Sequence, residues 1–301
     1  MTTSVPPGAR TSVLAGLIGS GIQASLTPAM HMEEGRAQGL QYRYELIDLD
    51  RIAGGSQVLA SLIDSCQSQG FAGLNITHPS KQTILPLLDE LSADAKALGA
   101  VNTVVFARDR RIGHNTDWWG FAESFRRGLT GVSVESVVQL GAGGAGAAVG
   151  YAMLKLGARE LNIYDIDADR MNGLVATLAA VFPSRRVAAA TNLGEAMSRA
   201  TGLVHATTTG MTKNPGLPLP ANLLNARHWV AEIVYFPLET QLLRTARDIG
   251  CRTLDGGGMA VFQAVGAFEL FTGIAPDAMR MARHFDSLTR PGIAVAAAVT
   301  D

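Results

Sequence analysis

Lysine is scarce in this chain: Lys81, Lys96, Lys155 and Lys213 stand against 21 arginines. Cysteine is scarcer still. Cys66 and Cys251 lie far apart, neither in a C-x-x-C, so a disulfide-stapled scaffold is excluded and a reducing cytoplasmic setting is expected. Charge of one sign is also missing. The net charge of −1 leaves no electrostatic footprint for nucleic acid. No uninterrupted apolar run approaches the roughly 18 residues of a membrane span, so none is expected. The six histidines show no H-E-x-x-H or short paired spacing, so no metal site is expected. There is no G-x-S-x-G nucleophile elbow. Met1–Ser12 has no apolar core of signal-peptide length and reads as a floppy lead-in, while the short apolar stretch Ala294–Val299 reads as a tail.

What is present is a soluble-type composition, 47% hydrophobic and 17% charged over 301 residues, enough for one large domain or two ordinary ones. No internal repeat or low-complexity segment occurs. Strand and helix patterns alternate, which argues an α/β sheet. Strands are expected at Val13–Ile18, Tyr42–Leu49, Gly73–Thr77 and the run ending at Phe106. A hairpin turn is expected at Asp109-Arg110-Arg111. Helices are expected at Ala29–Gln38, Ser56–Gln69, Ile84–Leu91, Ala93–Leu98 and Trp118–Gly128. At the first of these Thr27 is placed to cap and Pro28 to take the first helical position.

The rest of the chain is organised around Ser136–Asp167. Val137–Leu140 reads as a buried strand, followed at once by Gly141-Ala142-Gly143-Gly144-Ala145-Gly146. A helix over Ala147–Leu156 comes next, then a strand, Leu161–Tyr164, ending at Asp165. Gly141 permits a tight turn, Gly143 lets backbone approach a pyrophosphate, and Gly146 lets helix and strand pack closely. The helix N-terminus offers unpaired N–H groups to phosphates. Asp165 stands 19 residues past Gly146, where a carboxylate can accept bonds from the adenosine ribose hydroxyls. A 2′-phosphate would meet like charge there, so NAD is expected over NADP.

Several residues carry chemistry in the right company. Lys81 sits in a turn straight after a strand and can give and take a proton, which arginine cannot. Its plainer reading is a solvated turn lysine. Asp117 can hold and tune an ammonium, or simply cap the helix that follows it. Asn75, Thr77 and Asn102 are neutral polar residues at strand ends, suited to reading hydroxyls. Ser25 and Thr27 stand at a helix start, to bind a carboxylate or merely to cap. Gln263 is an amide on an otherwise apolar helix and needs a partner, backbone or ligand.

Together these stretches resemble the shikimate/quinate dehydrogenases from about Val13 to Leu288. The resemblance is carried by GLIGSGIQASLTPAMH (16–31), GLNITHPSKQ (73–82), LGAVNTVV (98–105), GHNTDWWGF (113–121), QLGAGGAGAAV (139–149), VYFPLETQLL (234–243) and LDGGGMAVFQAVGAFELFTG (254–273). It implies an α/β fold of two domains. Residues 1–118 would form a substrate domain with a mixed sheet, with 259–301 returning to it. Residues 119–258 would form a Rossmann-type doubly wound NAD domain. It implies reversible oxidation of the ring C3 hydroxyl of shikimate or quinate, with Lys81 as general base and Asp117 as its partner. Ser25, Thr27 and Tyr235 would hold the substrate carboxylate, and Asn75, Thr77, Asn102 and Gln263 would lie along the ring. Gly141, Ala142, Gly143, Gly144, Ala145, Gly146, Asp165, Arg170, Thr207, Gly210, Met211, Val234, Gly256 and Met259 would line the cofactor, with Gly258 beside the nicotinamide. A monomer or homodimer acting on a small molecule is implied, with no nucleic acid or membrane partner.

The departures have a direction. Biosynthetic members read Asn-Arg-Thr after the second cofactor strand, where this chain reads Tyr164-Asp165-Ile166-Asp167, and they usually carry Ser at the place of Thr27. Both changes resemble the NAD-using branch, with NADP a weaker option through Arg170. His205 stands where the family commonly has Asn, and Glu232 where it has Asp. The alternatives are an aminoshikimate-type relative, a non-catalytic NAD-binding protein, and a two-domain dehydrogenase of similar build such as a methylenetetrahydrofolate dehydrogenase, against which the Ser25-Leu26-Thr27-Pro28 stretch argues.

Overall fold

The computed structural model describes Ser12–Thr289. The expected lead-in, apart from Ser12 itself, and the expected tail lie outside those residues. Two compact units divide the chain: one runs to Thr116 and resumes at Val261, the other is Asp117–Ala260.

The first unit begins with β1 (Ser12–Gly19), α1 (Thr27–Ala37), β2 (Gln41–Asp48), α2 (Leu59–Ser68), β3 (Gly73–Ile76) and α3 (Ser80–Thr83). β4 (Glu90–Leu91), α4 (Ala93–Leu98), β5 (Thr103–Ala107) and β6 (Arg110–His114) follow. The sheet order is β2-β1-β3-β5-β6-β4. β1 is parallel to β2 and β3, whereas β5 is antiparallel to β3 and β6, so the sheet is mixed. Successive side chains of β1 point to opposite faces, and both faces are covered. Ile18 packs with Ile63, Leu74 and Val104 on one side. Val13, Ala15 and Leu17 pack with Phe268 and Phe271 on the other. That is why β1 reads as one apolar run rather than an alternation.

Two expectations fail here. Ile84–Leu91 is not a helix: Leu85–Leu87 makes one 3-10 turn, and Glu90–Leu91 pairs with Ile112–Gly113. Pro86 supplies no N–H and restricts the residue before it, so a regular helix cannot pass through. The β5–β6 turn also lies earlier than Asp109-Arg110-Arg111, because Ala107 already faces Arg110 across Arg108-Asp109.

The second unit contains α5 (Asp117–Gly128), β7 (Ser136–Leu140), α6 (Gly144–Lys155), β8 (Glu160–Tyr164), α7 (Ala168–Val181), β9 (Arg186–Ala189) and α8 (Leu193–Arg199). β10 (Gly202–His205), β11 (Trp229–Glu232), α9 (Gln241–Ile249) and β12 (Arg252–Leu254) complete it. Its sheet is parallel throughout, in the order β12-β11-β10-β7-β8-β9. This is the doubly wound Rossmann order, with the strand sequence reversing between β7 and β10. The unit boundary at Ala260 falls inside α10 (Gly257–Thr272), and α11 (Ala278–Thr289) is the last described helix. None of the described helices is long and apolar enough to cross a membrane.

Within the first unit, α11 is tied to α1 by one buried carboxylate. Glu34 accepts from Arg280 Nε and Nη2, both at 2.7 Å, and from the Asp277 N–H at 2.8 Å. One turn away, His31 is fully buried among Tyr42, Tyr44, Phe268 and Phe271, with Nδ1 2.9 Å from the Tyr42 hydroxyl. Burial lowers its pKa from 6.5 to about 3. Between those values the unfolded chain holds a proton on His31 that the folded chain does not. Stability therefore falls as pH drops through that window, by about 1.4 kcal/mol per pH unit. The His31→Leu variant is expected to show a shallower loss of urea-unfolding free energy between about pH 6 and pH 4. Equal slopes in the two proteins would contradict this burial argument.

Candidate active site

β7 feeds straight into the glycine turn, and the turn is held from two sides. Gln139 is fully buried, and its Nε2 donates to the carbonyls of Gly141 and Gly146, both at 2.8 Å. Asp165 closes the other side. Its Oδ2 accepts from the Ala142 N–H at 2.7 Å and its Oδ1 from the Asp167 N–H at 2.9 Å. Gly141 has φ +102, a left-handed value that favours glycine, and a Cβ there would run into the Ala206 carbonyl. A Cβ on Gly146 would run into the Gly141 carbonyl. Gly143 and Gly144 border open space.

α6 begins at this turn with Gly143 as its N-cap and no side-chain cap. A 12-residue helix thus presents its positive end beside Gly143 and Gly144, where no Cβ stands, which fits a pyrophosphate. The acids at the end of β8 divide the work. Asp165 is turned into the glycine turn. Asp167 caps α7 through the Arg170 N–H at 3.0 Å, pairs with the Arg170 guanidinium at 3.3 Å, and is exposed. Ile166 between them is 93% exposed. Sequence reasoning names Asp165 and misses both Gln139 and Asp167. The signal for Gln139 was an amide inside an apolar strand that ends on glycine.

The other cofactor candidates come from the same edge of the parallel sheet. Thr207 and Gly210 follow β10, Val234 follows β11, and Gly256 follows β12. Gly210 has φ +94, and Gly256 is buried against the carbonyls of Ile233 and Val234. Met211 is 38% exposed, and Met259 lies in the first turn of α10. Tyr235 is exposed in the loop after β11.

In the first unit the polar candidates collect on one edge of the mixed sheet. β1, β3 and β6 end there and β5 begins there, because β5 runs the other way. The Thr77 N–H bonds the Ile18 carbonyl at 2.9 Å, and the Ile76 N–H bonds the Asn102 carbonyl at 2.7 Å. The Lys81 carbonyl accepts from the Val101 N–H at 2.9 Å, which sets α3 beside Asn102. Asn102 donates through Nδ2 to Thr116 Oγ1 at 2.9 Å and accepts the Thr116 N–H at 2.7 Å. It thereby fixes the residue before Asp117. Asp117 is buried and is itself the first residue of α5.

Two candidates have other occupations. Asn75 is buried inside the sheet, its Oδ1 accepting from the Tyr44 hydroxyl at 2.7 Å and its Nδ2 donating to Thr103 Oγ1 at 3.1 Å. Thr27 does not cap α1. The N-cap is Leu26, and Ser25 Oγ accepts the Thr27 N–H at 3.3 Å. Gln263 is half-buried on α10, one turn before the fully buried Ala267.

The chain is similar to known proteins. Residues 17–104 match the family described as the shikimate dehydrogenase substrate binding domain. A Streptomyces avermitilis protein named shikimate dehydrogenase (NADP(+)) is 57% identical, covering 90% of this chain and 94% of its own length. A Corynebacterium efficiens protein named quinate/shikimate dehydrogenase (NAD(+)) is 49% identical, covering 92% and 99%. The structure of quinate dehydrogenase from Corynebacterium glutamicum in complex with NAD superposes with a TM-score of 0.87 at 46% identity, covering 92% of this chain and 99% of that one.

The turn makes a paired prediction. Gly146→Ala is expected to lower the melting temperature by several degrees, since the added carbon meets backbone that cannot yield. Gly144→Ala, in open space at the start of α6, is expected to match or slightly exceed wild type. Equal effects of the two substitutions would contradict the close-approach account.

Proposed function

We infer that this chain, which belongs to the shikimate/quinate dehydrogenase family, oxidises the ring C3 hydroxyl of shikimate, quinate or both to the 3-dehydro acid, with NAD as hydride acceptor. The observation that carries this reading is the gathering of Thr77, Lys81, Asn102 and Thr116 on one edge of the mixed sheet. That edge sets Lys81, a group able to move a proton, beside neutral groups able to read hydroxyls.

Oxidation of a secondary alcohol removes a hydride from carbon and a proton from oxygen as the C=O bond forms. Lys81, as the amine, takes the hydroxyl proton and returns it in the reverse direction. Asp117 is the carboxylate that orients it. Thr77, Asn102 and Gln263 read the ring hydroxyls, and Ser25, Thr27 and Tyr235 hold the carboxylate. Asn75, also expected along the ring, is held within the sheet by Tyr44 and Thr103. The bound dinucleotide supplies the hydride acceptor. Gly141–Gly146 and the start of α6 hold its pyrophosphate. Thr207, Gly210, Met211, Val234, Gly256 and Met259 line its other half.

The carboxylates after β8 support NAD. Asp165 braces the turn and Asp167 stands outward, so a 2′-phosphate would approach negative charge. A specific observation favours the second reading, NADP: the 57% identical relative is named for it, and Arg170 stands at the start of α7.

Two experiments test the assignments. Lys81→Ala is expected to cut kcat by roughly 10²–10⁴ while NADH binding is retained. Full turnover in that variant would remove Lys81 from the chemistry. Asp167→Ala is expected to raise the NADP-to-NAD ratio of kcat/KM by about tenfold or more, about 1.4 kcal/mol of relieved repulsion. Asp165→Asn is expected instead to weaken both coenzymes together. A ratio unmoved by Asp167→Ala would contradict the assignment.

A further inference from the structure

β10 and β11 end side by side on a histidine and a glutamate, His205 and Glu232, which are register partners. Both are buried, at 0% and 1% exposure. His205 Nδ1 lies 2.8 and 2.9 Å from the two Glu232 oxygens. A carboxylate only accepts, so Nδ1 carries the proton. Every remaining polar atom of the pair is engaged. His205 Nε2 lies 2.5 Å from Thr207 Oγ1. Glu232 Oε1 also accepts the Val234 N–H at 3.0 Å, and Oε2 accepts the Thr240 hydroxyl at 3.1 Å. Thr207 Oγ1 accepts the Thr209 N–H at 3.1 Å, and Thr240 Oγ1 accepts the Leu243 N–H at the start of α9.

Such a pair is a poor device for stability alone. Burying these groups forfeits their hydration, and an apolar pair of similar volume would do as well. What it does achieve is placement. One ring and one carboxylate pin the first residues after β10, the backbone after β11 and the start of α9. These loops flank the point where the strand order reverses, on the side away from Asp165 and Asp167. Gly141 sits directly against Ala206 and Thr207 there. A dinucleotide lying across that crevice, with its adenosine ribose toward β8, brings its nicotinamide half to the β10 side.

We propose that His205 and Glu232 are a positioning pair for the nicotinamide half of the dinucleotide, holding the Thr207 hydroxyl and the Thr207–Met211 turn in the shape that receives it. The hydroxyl of Thr207 has three hydrogen-bonding positions, and two are taken inside the protein. The third serves the ligand. The proposal rests on the reading of this unit as a dinucleotide site and names two residues that touch neither substrate nor cofactor. Neither ring nor carboxylate replaces the other, so the two act as a unit.

The test is a double-mutant cycle in the full chain, with His205→Asn, Glu232→Asp and the two combined. NADH binding is read by fluorescence titration, alongside kcat and KM for NAD and for the acid. Each single variant is expected to raise the NADH Kd and the NAD KM about tenfold, within the coupling range of contacting residues, with a smaller change in kcat and none in the KM for the acid. The double variant, whose shorter side chains can meet again, is expected to recover to within about threefold of wild type. Singles that bind NADH normally, or a double that loses the product of the two singles, would overturn the pairing. Should either single fail to fold, Thr207→Val removes the hydroxyl alone and is expected to weaken NADH severalfold. Unchanged binding in Thr207→Val would overturn the proposal. Wild type that fails to bind NADH would instead remove the dinucleotide reading, and the proposal with it.

Discussion

The approach of Gly146 to the Gly141 carbonyl is the constraint on which the second unit depends. It admits no side chain at either position, and it brings the first turn of α6 down onto the edge of the parallel sheet. Gln139 from within the strand holds it with two bonds to its carbonyls, and Asp165, just after the next strand, with one to the Ala142 N–H. Loosening that turn would move the uncapped end of α6, where Gly143 and Gly144 border open space. The loops after β10 lean on the same turn, so their shape follows from it as well.

The two units follow one principle with different groups. Their cores are built mainly of apolar side chains, and their candidate site residues sit where strands stop. In the mixed sheet the reversal of β5 brings Asn102 to the edge at which β1 and β3 end, and the backbone then ties α3 and Lys81 beside it. In the parallel sheet every strand ends at one edge, so a row of turns is available at once. Strand ends suit this work because their backbone groups leave the ladder there and their side chains escape the core.

How much of this was legible from residues alone depended on the range of the interaction involved. The strand, glycine turn and helix after Ser136 were readable because every determinant lies within a few residues. The parallel and mixed sheets followed from the alternation and from the family resemblance. The helix expected at Ile84–Leu91 failed because Pro86 weighed less in the periodicity than it does in the backbone. Thr27 looked like a cap because its residue type is right, but the N-cap is Leu26 with no side-chain cap, and the Ser25 hydroxyl accepts the Thr27 N–H. The engagement of Asn75 with Tyr44 and Thr103, the inward turn of Asp165 and the His205–Glu232 pair were not readable. Each is defined by partners on other strands, and sequence spacing carries no information about which strands become neighbours.

Steady-state oxidation of shikimate and of quinate, each with NAD and with NADP, tests the central claim most directly through four kcat/KM values. The account predicts that one or both acids turn over and that NAD gives the larger value for whichever acid is preferred. A clear NADP preference would contradict the role given to the carboxylates after β8. No turnover with any of the four pairs would contradict the assignment of the reaction itself.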